Sequence, residues 1–155
     1  MITKNSALGY CLPLMVLAFG GPSFARPSTV PGPIPAHVTK IIDGDTVAIE
    51  AYIWPGQWVA VHVRIRGIDT PEIHSHCDGE HRLALAAKEF VATKLSQGQA
   101  TLTNINIDKY GGRVVANVTT PDGENLASLL LEKGLARAYD GGHKTPWCPG
   151  LSNRD

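Results

Sequence analysis

Apolar and polar residues alternate in three consecutive segments of the first half of the chain, which is the pattern of half-buried β-strands. The predicted strands run from Val38 to Ile42, from Thr46 to Trp54 and from Val59 to Ile65. The turn Asp43-Gly44-Asp45 separates the first two strands, and Pro55-Gly56 separates the next two. We therefore expect three antiparallel strands joined by short connections.

The second half of the chain alternates between helical and strand periodicity. A helix is expected over residues 79–98, ending at Gly98, with the inward positions Leu83, Ala87, Phe90 and Val91. Two strands are expected over 100–107 and 113–120, and a second helix over 124–133. The order βββ-α-ββ-α, with five short strands and the helices set apart from them, predicts an α+β domain built on a small closed barrel.

The two ends of the chain differ in composition from these periodic segments. Residues 1–25 carry Lys4, an apolar stretch and the cleavage pattern Ser23-Phe24-Ala25, which indicates a secretory signal peptide. A transmembrane anchor is the alternative, but the stretch is short and contains a proline. The proline-rich residues 26–37 predict an extended linker, the domain is expected over 38–140, and residues 141–155 form a C-terminal tail.

Composition and charge narrow the class of protein. The chain has 155 residues, 43% of them hydrophobic, and a formal net charge of +0, which is typical of one compact domain. A disordered acidic tail and a histone-like basic coat are both excluded. Any contact with a polyanion must come from a local arrangement of Lys and Arg, and we expect a monomer with no stable membrane association after signal cleavage.

The expected export of the chain determines how its cysteines are interpreted. Cys11 leaves with the signal peptide, so Cys77 and Cys148 remain and are predicted to form a disulfide in an oxidising compartment. The alternative is a zinc site, and its candidate ligands are His74, His76, Cys77, His81 and Cys148. The spacing His-x-His-Cys-x₃-His matches no common zinc template, which favours the disulfide.

Aromatic residues cluster around the second predicted turn. Tyr52, Trp54 and Trp58 flank Pro55-Gly56. We interpret them as packing at the end of the barrel, while stacking on unpaired bases is the alternative.

Carboxylates concentrate in two short segments of the domain. Asp43 and Asp45 form one turn, while Asp69 and Glu72 follow the third predicted strand, which carries Arg64. Acidic turns are often only solvated or cap nearby backbone, which is the simpler interpretation of either turn alone. Together they predict a site for a hard cation such as Ca²⁺, because clustered carboxylates repel one another unless a cation joins them.

Four segments in order resemble the staphylococcal nuclease (thermonuclease) family. They are DGDTV at 43–47, VRIRGIDTPE at 63–72, DKYGGR at 108–113 and DGENLASLLLEKGLA at 122–136. The resemblance implies an OB-fold, a five-stranded antiparallel β-barrel with two or three helices. It also implies a secreted or periplasmic Ca²⁺-dependent nuclease that hydrolyses DNA and RNA with little sequence preference and leaves 3′-phosphates.

The resemblance further implies three groups of site residues. The Ca²⁺ ligands are the side chains of Asp45 and Asp69 and the backbone carbonyl of Thr70. The catalytic residues, which position or deprotonate the attacking water and hold the scissile phosphate, are Glu72, Arg64 and Arg113. The residues near the terminal phosphate of a bound nucleotide are Lys109 and Tyr110.

The third segment departs from the family pattern. Two glycines, Gly111 and Gly112, separate Tyr110 from Arg113, where the commoner pattern has one. A bulge would absorb the extra glycine and keep Arg113 in the site, whereas without one the arginine points elsewhere. A non-catalytic OB-fold that binds nucleic acid or an anionic oligosaccharide is therefore the alternative function.

Overall fold

The structure, a computed structural model, describes residues 28–75 and 77–148. The strands are β1 Thr29–Val30, β2 Ile34–Ile41, β3 Thr46–Trp54, β4 Gln57–Ile65, β5 Ile68–Asp69, β6 Gln99–Ile107, β7 Arg113–Thr119 and β8 Arg137–Ala138. The helices are α1 Asp78–Lys94 and α2 Leu126–Glu132. The predicted signal peptide lies outside the described residues. Among the residues described, no helix has the length and apolar character needed to cross a membrane.

Five strands close into a barrel, which confirms the predicted OB-fold. β2, β3 and β4 form an antiparallel meander, β4 pairs with β7, β7 pairs with β6, and β6 returns to β2. The β4–β7 pair is parallel, with His62 opposite Arg113 and Arg64 opposite Val115, so the barrel is mixed rather than antiparallel throughout. A parallel pair requires a long crossover, and β5, α1 and β6 supply it.

The core lies between the barrel strands and the two helices. Strand alternation buries Val47, Ile49 and Ala51 of β3, as the period-two pattern predicts. On α1 the prediction for Leu83 is wrong, because this residue is 39% exposed while its neighbour Ala84 is fully buried. The helix packs on the barrel core through Ala87 and Val91, which are fully buried.

The bounds of both helices differ from those predicted. α1 stops at Lys94, four residues before the predicted end, and Gly98 with φ of +71° turns the chain into β6. α2 begins after Asn125, whose side-chain oxygen accepts the backbone N–H of Ser128. Both predicted helices are present but shorter than the periodicity indicated.

The proline-rich segment is part of the sheet, so the prediction of a linker over 26–37 is wrong for most of its described residues. Thr29 pairs with Asn106, and residues 34–37 pair with residues 99–102 of β6. Proline lacks a donor but adopts extended backbone readily, and Ala36, between Pro35 and His37, is buried in the core. The folded domain therefore includes residues 29–37 and does not begin at Val38.

The aromatic residues at the β3–β4 turn are only partly packed. Tyr52 and Trp58 pair with ring centroids 4.9 Å apart, but Trp58 remains 57% exposed and Trp54 is 70% exposed. The prediction that they pack at the barrel end therefore holds for the Tyr52–Trp58 contact and fails for Trp54.

Candidate active site

A cleft of about 820 Å³ opens beside β4, between the turn before β3 and the loop after β6. The predicted site residues that line it are Asp45, Arg64, Thr70, Glu72, Lys109, Tyr110 and Arg113. Asp69 lies against Arg64 at the edge of this lining. We call Asp45, Arg64, Asp69, Thr70 and Glu72 the acidic wall, and Asp108 to Arg113 the loop wall. The structure thus brings all eight predicted metal, catalytic and nucleotide-binding residues to one place.

The turn before β3 is shaped to present Asp45. The Asp43 carboxylate accepts the backbone N–H of Asp45 at 3.0 Å, which closes the turn. Gly44 packs so closely on α1 that an added Cβ would lie 2.7 Å from the Cβ of Ala87. The backbone carbonyl of Asp45 accepts the N–H of Ile65 at 2.7 Å, which ties the turn to the end of β4.

The Asp45 carboxylate is buried and held from three directions. Its Oδ1 accepts hydrogen bonds from Thr46 Oγ1 at 2.9 Å and from Arg64 Nη1 at 2.7 Å. Its Oδ2 lies 3.4 Å from the backbone nitrogen of Thr70. Burial raises the pKa of Asp45, and Arg64 offsets this only in part.

Asp69 and Glu72 share a lysine that the sequence analysis did not single out. Lys144 Nζ lies 2.8 Å from Asp69 Oδ1 and 2.9 Å from Glu72 Oε1. Burial opposes the lysine charge, but the two carboxylates outweigh it and raise the pKa of Lys144 well above its usual range. Trp147 Nε1 donates to the other oxygen of Asp69, Oδ2, at 3.2 Å.

The acidic wall has the donor set that a hard cation prefers. Asp45 and Asp69 offer carboxylate oxygens and Thr70 a backbone carbonyl, with no sulfur or imidazole among them. Asp69 Oδ1 is buried and already faces positive charge, with Lys144 Nζ at 2.8 Å and Arg64 Nη2 at 3.5 Å. A buried carboxylate oxygen that faces cations, in an all-oxygen donor set, is compatible with the predicted Ca²⁺.

The loop wall accommodates the extra glycine without losing Arg113. Gly111 and Gly112 have φ of +70° and +69°, a region that disfavours other residues. The loop closes where the Asp108 N–H donates to the Arg113 carbonyl at 3.1 Å. Arg113 therefore starts β7 in register beside β4 and lines the same cleft as Arg64.

A buried carboxylate holds Arg113 in place. The Arg113 Nε donates a short hydrogen bond to Asp108 Oδ2. Burial favours the neutral acid, but the hydrogen bond and charge of Arg113 prevail and lower the pKa of Asp108. The Asp108 carboxylate therefore stays ionised and orients the guanidinium.

The two predicted nucleotide-binding residues stand at the outer rim of the loop wall. Tyr110 is 75% exposed, and Lys109 Nζ lies 5.1 Å from the centre of its ring. Lys109 also donates to the carbonyl of Gly141 at 2.9 Å. Both side chains are thus accessible to a ligand that enters the cleft.

Arg66 lines the cleft and holds neighbouring strands of the barrel together. Its Nη2 donates to the carbonyl of Asn104 and to Asn106 Oδ1, both at 2.6 Å, and to the carbonyl of Val115 at 3.0 Å. These contacts join β4, β6 and β7, so we assign Arg66 a structural role.

The predicted disulfide between Cys77 and Cys148 is present, with Cα atoms 6.1 Å apart. It joins the residue before α1 to the end of the described chain. Because both sulfurs are bonded to each other, neither cysteine offers a thiolate to zinc. The His81 Nδ1 lies 2.7 Å from the carbonyl of Ile73, and His76 lies outside the described residues, so the alternative zinc site gains no support.

Four residues of the site were missed by sequence reasoning, namely Asp108, Tyr139, Lys144 and Trp147. Asp108 opens the DKYGGR segment, so its position before Arg113 was a usable signal. Trp147 adjoins Cys148, and the predicted bond to Cys77 already placed that end of the chain near Glu72. Tyr139, 5.8 Å from Arg64, had no comparable signal.

Comparisons with known proteins point to one family. Residues 62–146 match the family model described as staphylococcal nuclease homologue. The chain is 28% identical over 142 residues to an uncharacterized endonuclease of Escherichia coli, covering 92% of this chain and 81% of that protein. It is 30% identical over 138 residues to a probable endonuclease of Schizosaccharomyces pombe, covering 73% of this chain and 58% of that protein.

Proposed function

The chain belongs to the staphylococcal nuclease homologue family and is a hydrolase of phosphodiester bonds, and we propose that it is a Ca²⁺-dependent endonuclease. Its proposed substrates are DNA and RNA, cut with little sequence preference to leave 3′-phosphates. The observation that carries the proposal is that the carboxylates of Asp45, Asp69 and Glu72 and the guanidinium groups of Arg64 and Arg113 meet at one cleft. A cleft of this kind suits the binding and attack of a phosphodiester.

The proposed cation site uses Asp45, Asp69 and the carbonyl of Thr70. When bound there, Ca²⁺ would supply positive charge that lowers the energy of the negatively charged transition state. Hydrogen bonds from Thr46 and Arg64 hold the carboxylate of Asp45, one of the three proposed ligands, in a fixed orientation.

The two arginines are proposed to hold the scissile phosphate. Their planar guanidinium groups each match two phosphate oxygens, and they line the cleft from opposite walls. Arg64 is positioned by Asp45 and Arg113 by Asp108. This positioning stabilises charge as it develops on the phosphate, with little rearrangement at the moment of reaction.

Glu72 is proposed to take the proton of the attacking water. Its side chain is 63% exposed and so is open to water, while its backbone N–H donates to Glu80 Oε1 at 3.1 Å and fixes the chain there. Lys144 at 2.9 Å orients the carboxylate toward the cleft. An accessible carboxylate beside the phosphate site is the arrangement that general-base catalysis needs.

Export to an oxidising compartment, either outside the cell or the periplasm, is part of the proposal. The signal-peptide pattern of residues 1–25 supports it. The Cys77–Cys148 bond is also characteristic of exported proteins, since cytosolic thiols are kept reduced.

The proposal predicts cleavage of denatured DNA and RNA in Ca²⁺ and none in excess chelator. Purified exported protein is assayed beside its Glu72→Gln variant, which also controls for contaminating nucleases. We expect Glu72→Gln to slow turnover by about 10²-fold or more while leaving Ca²⁺ and nucleotide affinity nearly unchanged. Undiminished cleavage in chelator would contradict the metal assignment. Binding of nucleic acid or an anionic oligosaccharide without cleavage in any ion would favour the non-catalytic alternative.

A further inference from the structure

The last described residues, 140–148, run across the acidic wall, and we call them the C-terminal strap. The strap leaves β8, supplies Lys144 and Trp147 to the acidic wall, and ends at the disulfide to Cys77. Its two ends are thus anchored in different parts of the fold, one by the β5–β8 pair and one by a covalent bond. A segment closed at both ends holds its side chains in a restricted set of positions.

Trp147 contacts the oxygen of Asp69 that points away from Lys144 and Arg64. The indole N–H donates to Oδ2 at 3.2 Å, whereas Lys144 and Arg64 lie 2.8 and 3.5 Å from Oδ1. An aspartate has two oxygens on one rigid plane, so fixing Oδ2 sets the direction of Oδ1. Oδ1 is the oxygen that faces positive charge, from Lys144 and Arg64.

The indole is itself locked in place. The Arg137 guanidinium carbon lies 3.9 Å from the centre of the Trp147 ring, a cation–π contact. The same arginine donates through Nη1 to the carbonyls of Thr145 and Pro146, at 3.3 and 3.0 Å. These bonds fix the backbone just before Trp147, and the disulfide at Cys148 fixes it just after.

We propose that Trp147 is a positioning residue of the cation site, which acts by holding Asp69 with Oδ1 toward the ion. The inference rests on the proposed function, because it presupposes that Asp69 is a cation ligand. Residues that donate hydrogen bonds to a ligating carboxylate orient it and typically change metal affinity by about 10- to 100-fold. The C-terminal strap therefore both covers the acidic wall and holds one of its proposed ligands in orientation.

Calorimetric titration of Ca²⁺ into the full exported protein, without nucleic acid, tests this directly. The Trp147→Phe variant keeps an aromatic ring over Arg137 but removes the donor, and we expect its Ca²⁺ dissociation constant to rise by about 10-fold or more. Trp147→Leu removes ring and donor and should weaken Ca²⁺ by the same factor. Trp58→Phe is the matched control, since that indole stands on the exposed hairpin, and it should bind like the parent protein.

The outcomes separate this inference from the proposed function. Ca²⁺ binding by the parent protein that is lost in Asp69→Asn, but unchanged in Trp147→Phe, would overturn the role of Trp147 and leave the cation site intact. Weakening in Trp147→Leu but not in Trp147→Phe would show that Trp147 only packs, and would also overturn the inference. Absence of Ca²⁺ binding in the parent protein would overturn the cation site itself and the inference with it. Thermal unfolding in chelator and the mass of the intact disulfide confirm that each variant is folded.

Discussion

The two walls of the cleft both position an arginine, but the contacts around that arginine differ between them. Each holds an arginine against a buried aspartate, Arg64 with Asp45 and Arg113 with Asp108, and the side chains of both aspartates are 6% exposed. Arg64 is the more enclosed arginine, at 14% side-chain exposure against 31% for Arg113. Arg64 also contacts a second carboxylate, Asp69, and the carbonyl of Ile68. Among the described side chains, Arg113 forms an ion pair with Asp108 alone.

The difference shows in the charge balance of the two aspartates. Burial raises the pKa of Asp45 despite Arg64, whereas Arg113 lowers the pKa of Asp108 despite burial. The acidic wall carries three carboxylates, Asp45, Asp69 and Glu72, against two contacting cations, Arg64 and Lys144, and a bound cation would balance the remaining negative charge. On the loop wall, Arg113 is paired with Asp108, and Lys109 adds a positive charge.

Replacing Asp45 or Asp108 by asparagine gives the largest expected difference in turnover between the two walls. Asp45→Asn should lower turnover by about 10³-fold through loss of the ion, while Asp108→Asn should lower it by about 10-fold through a misplaced Arg113. Asp108→Asn should also lower stability, since it loses a charge-assisted hydrogen bond worth roughly 2 kcal/mol at neutral pH. Turnover at a fixed, moderate Ca²⁺ concentration, calorimetric titration of Ca²⁺ and thermal denaturation check these effects. Equal losses of Ca²⁺ affinity in the two variants would contradict the difference between the walls.

The lowered pKa of Asp108 determines how the stability loss of Asp108→Asn depends on pH. A depressed carboxylate pKa adds stability above the unfolded-state pKa and loses it as pH falls through the folded-state pKa. The stability deficit of Asp108→Asn should therefore shrink in acid. A deficit that stays constant to low pH would mean that packing, not charge, connects Asp108 to Arg113.

The two arginines give the next largest contrast. Arg64→Lys should lower turnover by about 10²-fold and Arg113→Lys by about 10-fold, because an ammonium reproduces neither fork and Arg64 has more partners to lose. Steady-state kinetics with denatured DNA measures both. A silent Arg113→Lys beside a strongly impaired Arg64→Lys would show that the two-glycine loop has removed Arg113 from the reaction.

The two lysines give the smallest contrast. Lys144→Met removes a positive charge 2.8 Å from Asp69 Oδ1 and should strengthen Ca²⁺ binding by about 3-fold. Lys109→Met, on the loop wall, should leave Ca²⁺ affinity unchanged and weaken a nucleotide with a terminal phosphate, more so at low salt. Titrations of Ca²⁺ and nucleotide at two salt concentrations check both, and weaker Ca²⁺ binding in Lys144→Met would mean that this lysine organises the acidic wall rather than competes with the ion.

The barrel and the acidic wall were accessible from the sequence because their signals are local. Alternation over Thr46–Trp54 is enough to place Val47 and Ile49 inside, and the strand has the predicted bounds. The turn residues Asp43 and Asp45 lie next to that strand in the chain, so their position followed from it. Short-range patterns of this kind survive folding because the hydrogen bonds and side-chain faces they dictate are those of neighbouring residues.

The parts that were wrong or missed depend on distant partners. Residues 29–30 and 34–37 lie in strands that pair with β6, and residues 36–37 also pair with β3, all far away in the sequence. Lys144 and Trp147 reach Asp69 because the β5–β8 pair and the Cys77–Cys148 bond hold the two ends of their segment near it. The predicted disulfide pointed to the right region, but no local pattern specified which side chains would face the site.

The parallel pairing of β4 with β7 has a consequence for how the protein folds. His62 pairs with Arg113, 51 positions later in the chain, and β5, α1 and β6 lie between them. Because pairing so distant in sequence requires closure of a long loop, we expect the β4–β7 pair to form late and slowly during folding. A chain folded only as far as β5 already carries Asp45, Arg64 and Asp69 but not Arg113. The second arginine arrives with the last strand of the barrel, so recovery of full turnover during refolding should lag behind the formation of the first hairpins.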